Sequence, residues 1–210
     1  MSGPKAPGAI HRKKQKAQTR DLILTTARNL FEKKGFEKTT MRIIAAETQM
    51  GYGTVFKHFA NKQELLAVCL HEDIETVLVD AFATLPKTER LKPRFMHIAS
   101  NLIRHYALRP QLSKTLIEQI ILVNGSSKSI LDNQVNRFLK MLGSLIQESK
   151  ACGAIREDID DNLLSLSLFT TYIATLAFSL RQSQFDPEQT IDTLDRLIDL
   201  HMSGISPKNA

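Results

Sequence analysis

Beyond its first sixteen residues the chain repeats apolar side chains every three to four positions, and it nowhere sustains an alternation of period two. A period near 3.6 lines up one face of a helix, whereas a half-buried strand needs every second residue. The chain is therefore expected to be all-α. Turn signals divide it. A helix is expected from about Thr19, with Ile23, Ala27, Leu30 and Phe31 on one side, and it stops at Gly35 after Lys33 and Lys34. A short helix should follow Thr39 or Thr40, and another should span Tyr52 to His58. Asn61-Lys62-Gln63-Glu64 then reads as a capping box that opens a helix to about Ala83, with Pro86 beyond it. Further helices are expected near 88–107, 110–123, 127–151, 160–182 and 187–203. Pro110 and Pro187 sit at first-turn positions, Pro93 moves the first of these starts towards Lys92, and Gly125, Gly153 and Gly204 mark ends.

Charge is distributed unevenly along this framework. Residues 1–62 hold thirteen basic residues against four acids, a formal +9, whereas residues 63–210 hold fifteen against eighteen, −3. Such a basic head is the electrostatic footprint of a polyanion partner: nucleic acid, an anionic membrane surface or an acidic protein. Residues 1–16 carry His11, Arg12, Lys13, Lys14 and Lys16 with almost no apolar face, so a disordered basic arm that attracts a polyanion non-specifically is expected. The organisation predicted is an arm over 1–16, a small domain over 17–62 and a larger helical domain over 63–210.

Several classes are disfavoured. Cys69 and Cys152 lie far apart without disulfide or metal spacing, which suits a reducing cytoplasm. No apolar stretch follows the N-terminal charges as secretion would require. Leu163–Leu180 runs eighteen residues without a charge, near the lower limit for a membrane span. Six of those residues are Ser or Thr, and Asp158, Asp160 and Asp161 crowd its start, so burial in a bundle or between subunits is the expectation. His71, Glu72, Asp73 and Glu75 miss the spacing of a helical metal site and read as a solvated face. Gly51-Tyr52-Gly53 has Phe56 where a nucleotide loop needs a third Gly. No catalytic constellation, metal site or cofactor motif is found.

The residues that carry function are the two short helices at about 40–47 and 52–58, spaced as a helix-turn-helix whose second helix enters the major groove. Ile44, Ala45, Val55 and Phe59 should point inward. Tyr52, Gly53, Phe56 and Lys57 share the outward face of the second helix. Lys57, His58 and Lys62 can reach phosphates, Tyr52 and Lys57 can reach base edges, and Gly53 leaves room for backbone to approach phosphate. Thr40 and Arg42 present a hydroxyl, amides and a guanidinium to the DNA backbone or to guanine.

Five blocks in order, Ala27-Arg28-Asn29-Leu30-Phe31, Gly35-Phe36, Thr39 to Ala45, Gly53 to Phe59 and Lys62-Gln63-Glu64-Leu65, resemble the N-terminal domain of the TetR (tetracycline-repressor-like) family. The resemblance covers about sixty residues, from near Gln18 to Leu70. It implies a cytoplasmic transcriptional regulator, a repressor released from a palindromic operator by a small-molecule inducer, and dimeric through its last two long helices. It adds Thr39, Gly51 and Thr54 to the DNA-facing set. Three positions depart from the family pattern: Gln49 stands where Gly is usual, Gly51 replaces a Ser or Thr cap, and Phe56 replaces Tyr. Gln49 must then adopt φ > 0 or the turn differs, and Phe56 is left a packing or van der Waals role.

For an effector cavity the apolar stripe Phe95, Ala99, Ile103 and Tyr106 is the candidate wall, faced by Leu116, Ile120, Phe138, Met141, Phe169, Tyr172 and Thr175. A hydrophobic or amphipathic effector is expected from that composition. The rival reading is a helical adaptor whose basic head meets an acidic protein or anionic lipid through charge alone.

Overall fold

The computed structural model describes residues 7–122 and 128–205, and every regular element among them is a helix: α1 (Pro7–Lys34), α2 (Met41–Glu47), α3 (Tyr52–His58), α4 (Lys62–Ala83), α5 (Leu91–Ala107), α6 (Pro110–Leu122), α7 (Lys128–Ala151), α8 (Asp161–Leu180) and α9 (Pro187–Ile205). The chain divides into two compact units, Met1–Cys69 and Leu70–Ala210. That boundary falls inside α4, beyond the expected 62/63, and Cys69 at the end of the first unit is tied to α1 by the Arg28 guanidinium, which donates to its carbonyl, and by its thiol, which donates to the Leu24 carbonyl.

In the first unit α1 packs on α2 and α2 on α3. Ile23, Leu24, Ala27 and Phe31 bury one stripe of α1, and Ile44, Ala45, Val55 and Phe59 meet in the same small core, all below 5% exposed. Local chemistry fixes each start. The Thr40 hydroxyl accepts the Ile43 amide at 3.2 Å and caps α2. The Asn61 side chain accepts the Glu64 amide at 2.7 Å while Glu64 reaches back to the Ala60 amide, also at 2.7 Å. The expected box is thus present, with its return bond shifted by one residue.

One expectation over this unit is corrected. The disordered arm of 1–16 is helical from Pro7, so residues 7–16 form the opening turns of α1. Lys, Arg, Gln and Ala all favour helix, Pro suits a first turn, and extending an existing helix costs no new nucleus. An apolar face is needed to bury a helix, not to continue one.

In the second unit α5 packs against α6, α7 and α9, and α8 lies against α6, α7 and α9. Asp160 caps α8 by accepting the Leu163 amide at 2.7 Å, and Asp186 accepts the Glu188 and Gln189 amides ahead of α9. Helix α5 opens at Leu91 rather than 88, because Pro93 has no amide to give the Glu89 carbonyl; the Ser149 hydroxyl donates to that carbonyl instead. Gly204 does not end its helix, which runs to Ile205, and Gly125 lies outside the described residues. The uncharged run is α8. By length and composition it is the described helix that meets the requirement for crossing a membrane, yet Leu164, Leu168, Tyr172, Leu176 and Leu180 are buried within this unit.

Candidate nucleic-acid interface

The turn between α2 and α3 sets the angle at which α3 is presented. Thr48 closes α2 by donating its buried hydroxyl to the Ile44 and Ala45 carbonyls at 2.9 and 3.1 Å, and the Met50 amide returns to Ala45 at 2.9 Å. Between them Gln49 takes φ 54°, the only positive φ at a non-glycine among the described residues. Gln49 therefore carries the left-handed conformation itself, at a cost of about 1–2 kcal/mol. Gly51 precedes α3 with extended backbone, and its carbonyl takes the Thr54 amide at 2.8 Å without any side-chain cap.

Helix α3 buries Val55 and exposes Tyr52, Gly53, Thr54, Phe56 and Lys57. Its outward face is partly aromatic. Tyr52 and Phe56 stack with centroids 4.8 Å apart, 46% and 41% exposed respectively, and the Arg42 guanidinium lies 5.9 Å from the Tyr52 ring. Such a stack limits the rotamers of Arg42 and holds its charge next to the face of α3. A Cβ built on Gly53 meets nothing within 4 Å, so no neighbour within the protein demands glycine there. His58 is half-buried, and desolvation, reinforced by Lys16 and Arg20, pulls its pKa below the ordinary value. It therefore offers a neutral N–H donor at pH 7, not a second cation beside Lys57.

Two residues of the expected contact set have partners within the protein, Thr39 buried and Lys62 half-buried. Thr39 is fully buried, with its hydroxyl donating to the Gly35 carbonyl at 2.9 Å and lying 3.3 Å from that of Leu30. It fastens the exit of α1 and presents nothing outward. The Lys62 ammonium donates to the Phe36 carbonyl at 2.7 Å and sits 4.0 Å from the Phe36 ring centre. Thr40 and Arg42 are exposed at the start of α2, though the Thr40 hydroxyl is used in its cap. The sequence pattern does not single out Thr48, whose signal is a hydroxyl four residues after Ile44 at a helix end. Nor does it single out Arg20, whose guanidinium lies 5.6 Å from the Phe59 ring, or Arg28, which donates to the Cys69 carbonyl at 3.2 Å.

The second unit holds the candidate effector cavities. A space of about 270 Å³ is lined by Asp73, Ile74, His105, Tyr106, Arg109 and Leu116 among others. A narrow slot of about 40 Å³ shares Ile74 and Tyr106 with it and adds Phe138, Phe169, Tyr172 and Gln134. The Tyr172 hydroxyl is buried there beside the Tyr106 phenol, which is the polar group that bears on it. Burial pushes the Tyr106 hydroxyl up to about 12. Burial, with Tyr106 alongside, pushes Tyr172 well above the ordinary value. Of the expected wall, Tyr106, Leu116, Phe138, Phe169 and Tyr172 reach these two spaces. Phe95, Ala99 and Ile103 do not; they are packed at 1% exposure or less as core. Met141 is half-buried away from both spaces, and Thr175 opens on a different groove, between α8 and α9. The Ile120 side chain lies outside the described residues.

Comparison with known proteins bears on both units. The family described as bacterial regulatory proteins, tetR family, matches residues 23–69. The HTH-type transcriptional regulator SAB2452 of Staphylococcus aureus is 32% identical over 66 residues, 31% of this chain and only 36% of that protein. The match to YhgD, an HTH-type transcriptional regulator of Bacillus subtilis, is weaker but longer, 26% identity over 88% of this chain and 95% of the relative. Among solved structures, the transcriptional regulator FadR of Bacillus subtilis, in complex with stearoyl-CoA, superposes with a TM-score of 0.75 over 88% of this chain and 98% of FadR, at 18% identity.

Proposed function

We propose that this chain, which belongs to the TetR family of bacterial regulatory proteins, is a cytoplasmic repressor that binds a palindromic operator as a homodimer and is released by a small-molecule effector. The observation that carries the DNA-binding part is the outward face of α3. Tyr52, Gly53, Phe56 and Lys57 stand together on a helix held by a closed turn, in the unit that carries the basic excess. A helix so presented fits the major groove, Lys57 reading a base edge or phosphate and Arg42 reaching the flank.

Dimerisation is supported by the apolar residues that α8 and α9 leave uncovered. Leu163, Leu166 and Phe178 on α8 and Leu197 and Leu200 on α9 are exposed, Phe178 to 70%. Two copies joined across these helices would cover them. The effector would occupy the space around Tyr106 and Tyr172. The larger space beside Tyr106 carries polar groups and the slot beside Tyr172 is apolar, and a phenol at their shared wall can donate to an acceptor. A hydrophobic molecule with one accepting oxygen fits that chemistry. It acts only through a difference in affinity between DNA-competent and DNA-incompetent states.

The test is retention of fragmented genomic DNA by the purified protein at physiological salt, with the retained fragments sequenced. Recovery of a few palindromic sites is expected. Uniform retention that disappears as salt rises would mean that the basic unit binds charge alone, and the adaptor reading would take its place.

A further inference from the structure

The outward face of α3 carries apolar surface that no phosphate contact can use. Phe56 is 41% exposed and its side chain has no polar atom, so it can neither donate to a phosphate nor hydrogen-bond a base edge. Its ring is nevertheless held in place. Tyr52, one turn earlier and 46% exposed, stacks on it at 4.8 Å between centroids, and the Arg42 guanidinium lies 5.9 Å from the Tyr52 ring. Gly53, on the same face, adds no side chain to it. An exposed aromatic pair on a helix that fits the major groove gains most from an apolar partner in that groove. Base edges offer one such partner. Thymine presents a C5-methyl group there, whereas guanine, cytosine and adenine present donors and acceptors. The two rings are four residues apart, about 6 Å along α3 at a rise of about 1.5 Å per residue. Base pairs recur about every 3.4 Å, so the pair of rings spans about two adjacent base pairs.

We propose that Tyr52 and Phe56 form an apolar platform that selects thymine, by its C5-methyl group, at one or two adjacent base pairs of each half-site. The inference rests on the DNA-binding reading and gives it a base chemistry. The rings read methyl groups, while Lys57 and Arg42 serve phosphates or guanine beside them. Phe56 is the residue that makes the difference. Where the family's usual Tyr has a hydroxyl for phosphate, this ring has no polar contact to compete with the methyl. The stack also fixes both rings before DNA arrives, so less side-chain entropy is lost on binding than for two free aromatics.

The test uses an operator recovered from genomic DNA, with the thymines of one half-site replaced one at a time by deoxyuridine, which lacks only the methyl group. Burying one methyl corresponds to about fourfold in affinity. The full-length wild type is expected to bind about fourfold more weakly when either of one or two adjacent thymines is replaced, and with unchanged affinity at the other positions. In Phe56→Ala, whose fold is checked by far-UV circular dichroism, the same replacements should no longer change affinity, because the two deletions remove one interaction. Phe56→Leu, which keeps an apolar side chain, should recover part of the discrimination. Selective binding by the wild type without sensitivity to deoxyuridine at any position would overturn the platform alone. So would a sensitivity that persists in full in Phe56→Ala, since the methyl would then be felt by another group. A wild type that selects no sites would overturn the DNA-binding reading, and the platform with it.

Discussion

Replacing Thr39 by Val separates two roles that one motif position could have. The side chain keeps nearly the same shape, so the cavity contribution is small, but the hydroxyl that serves the Gly35 and Leu30 carbonyls is gone. A single hydroxyl proton is shared between two acceptors, so the bond itself contributes about 1 kcal/mol net, and leaving a buried acceptor without a partner costs about 1–3 kcal/mol. Thr39 is fully buried, so the larger figure applies in part, and we expect a loss of about 1–2 kcal/mol in the first unit. In a domain of that size each 1 kcal/mol lowers Tm by roughly 4–8 °C. Denaturant unfolding should show a lower midpoint at unchanged slope, while operator affinity measured well below the transition stays within about threefold of wild type. An unchanged midpoint combined with a tenfold loss of affinity would refute the reasoning. It would mean that Thr39 touches DNA after all.

Other substitutions test the recognition face and the buried phenols. Lys57→Ala should weaken operator binding by about 1–3 kcal/mol, read by fluorescence anisotropy; unaltered affinity removes Lys57 from the interface. Gly53→Ala should raise thermal stability by up to about 1 kcal/mol, because the added methyl meets nothing and Ala is the better helix former. It should nevertheless weaken DNA binding, because the open space is where phosphate approaches; gains in both measurements would contradict that. Alkaline stability should report Tyr106. Below pH 10 the phenol is protonated in both states and contributes nothing to the pH dependence. Between 10 and about 12 only the unfolded chain ionises, so stability falls with rising pH by about 2–3 kcal/mol in total. Chemical denaturation across that range should show the fall, and Tyr106→Phe should reduce it; an equal fall in the variant would assign the loss to other groups.

The parts of this architecture that are legible in the sequence are those governed by local rules. Thr40 and Asn61 with Glu64 mark helix starts by their own hydrogen bonds, and Gly35 and Gly153 mark exits by positive φ. The inward set of Ile44, Val55 and Phe59 follows from helical period alone. Gln49 is legible as a conflict: a non-glycine in a turn that needs a left-handed residue, and it adopts that conformation. Two things are not legible. The start of α1 is placed late by the pattern because an apolar stripe signals burial, and Lys13 and Lys16 lie on turns that bury little. The cavity wall is blurred because period says that Phe95, Ile103 and Phe138 face inward, but not whether a side chain or a void lies opposite. Only the packing of α4, α5, α7 and α8 separates the lining Phe138 from the core Phe95.

The central claim is that α3 reads sequence and does not merely carry charge. The most direct measurement is the ratio of affinities for a recovered operator and for a scrambled duplex of the same length and composition, at about 150 mM salt. The account predicts a ratio of at least about 10³, falling sharply in Lys57→Ala. A ratio near one, with both affinities collapsing together as salt rises, would contradict it.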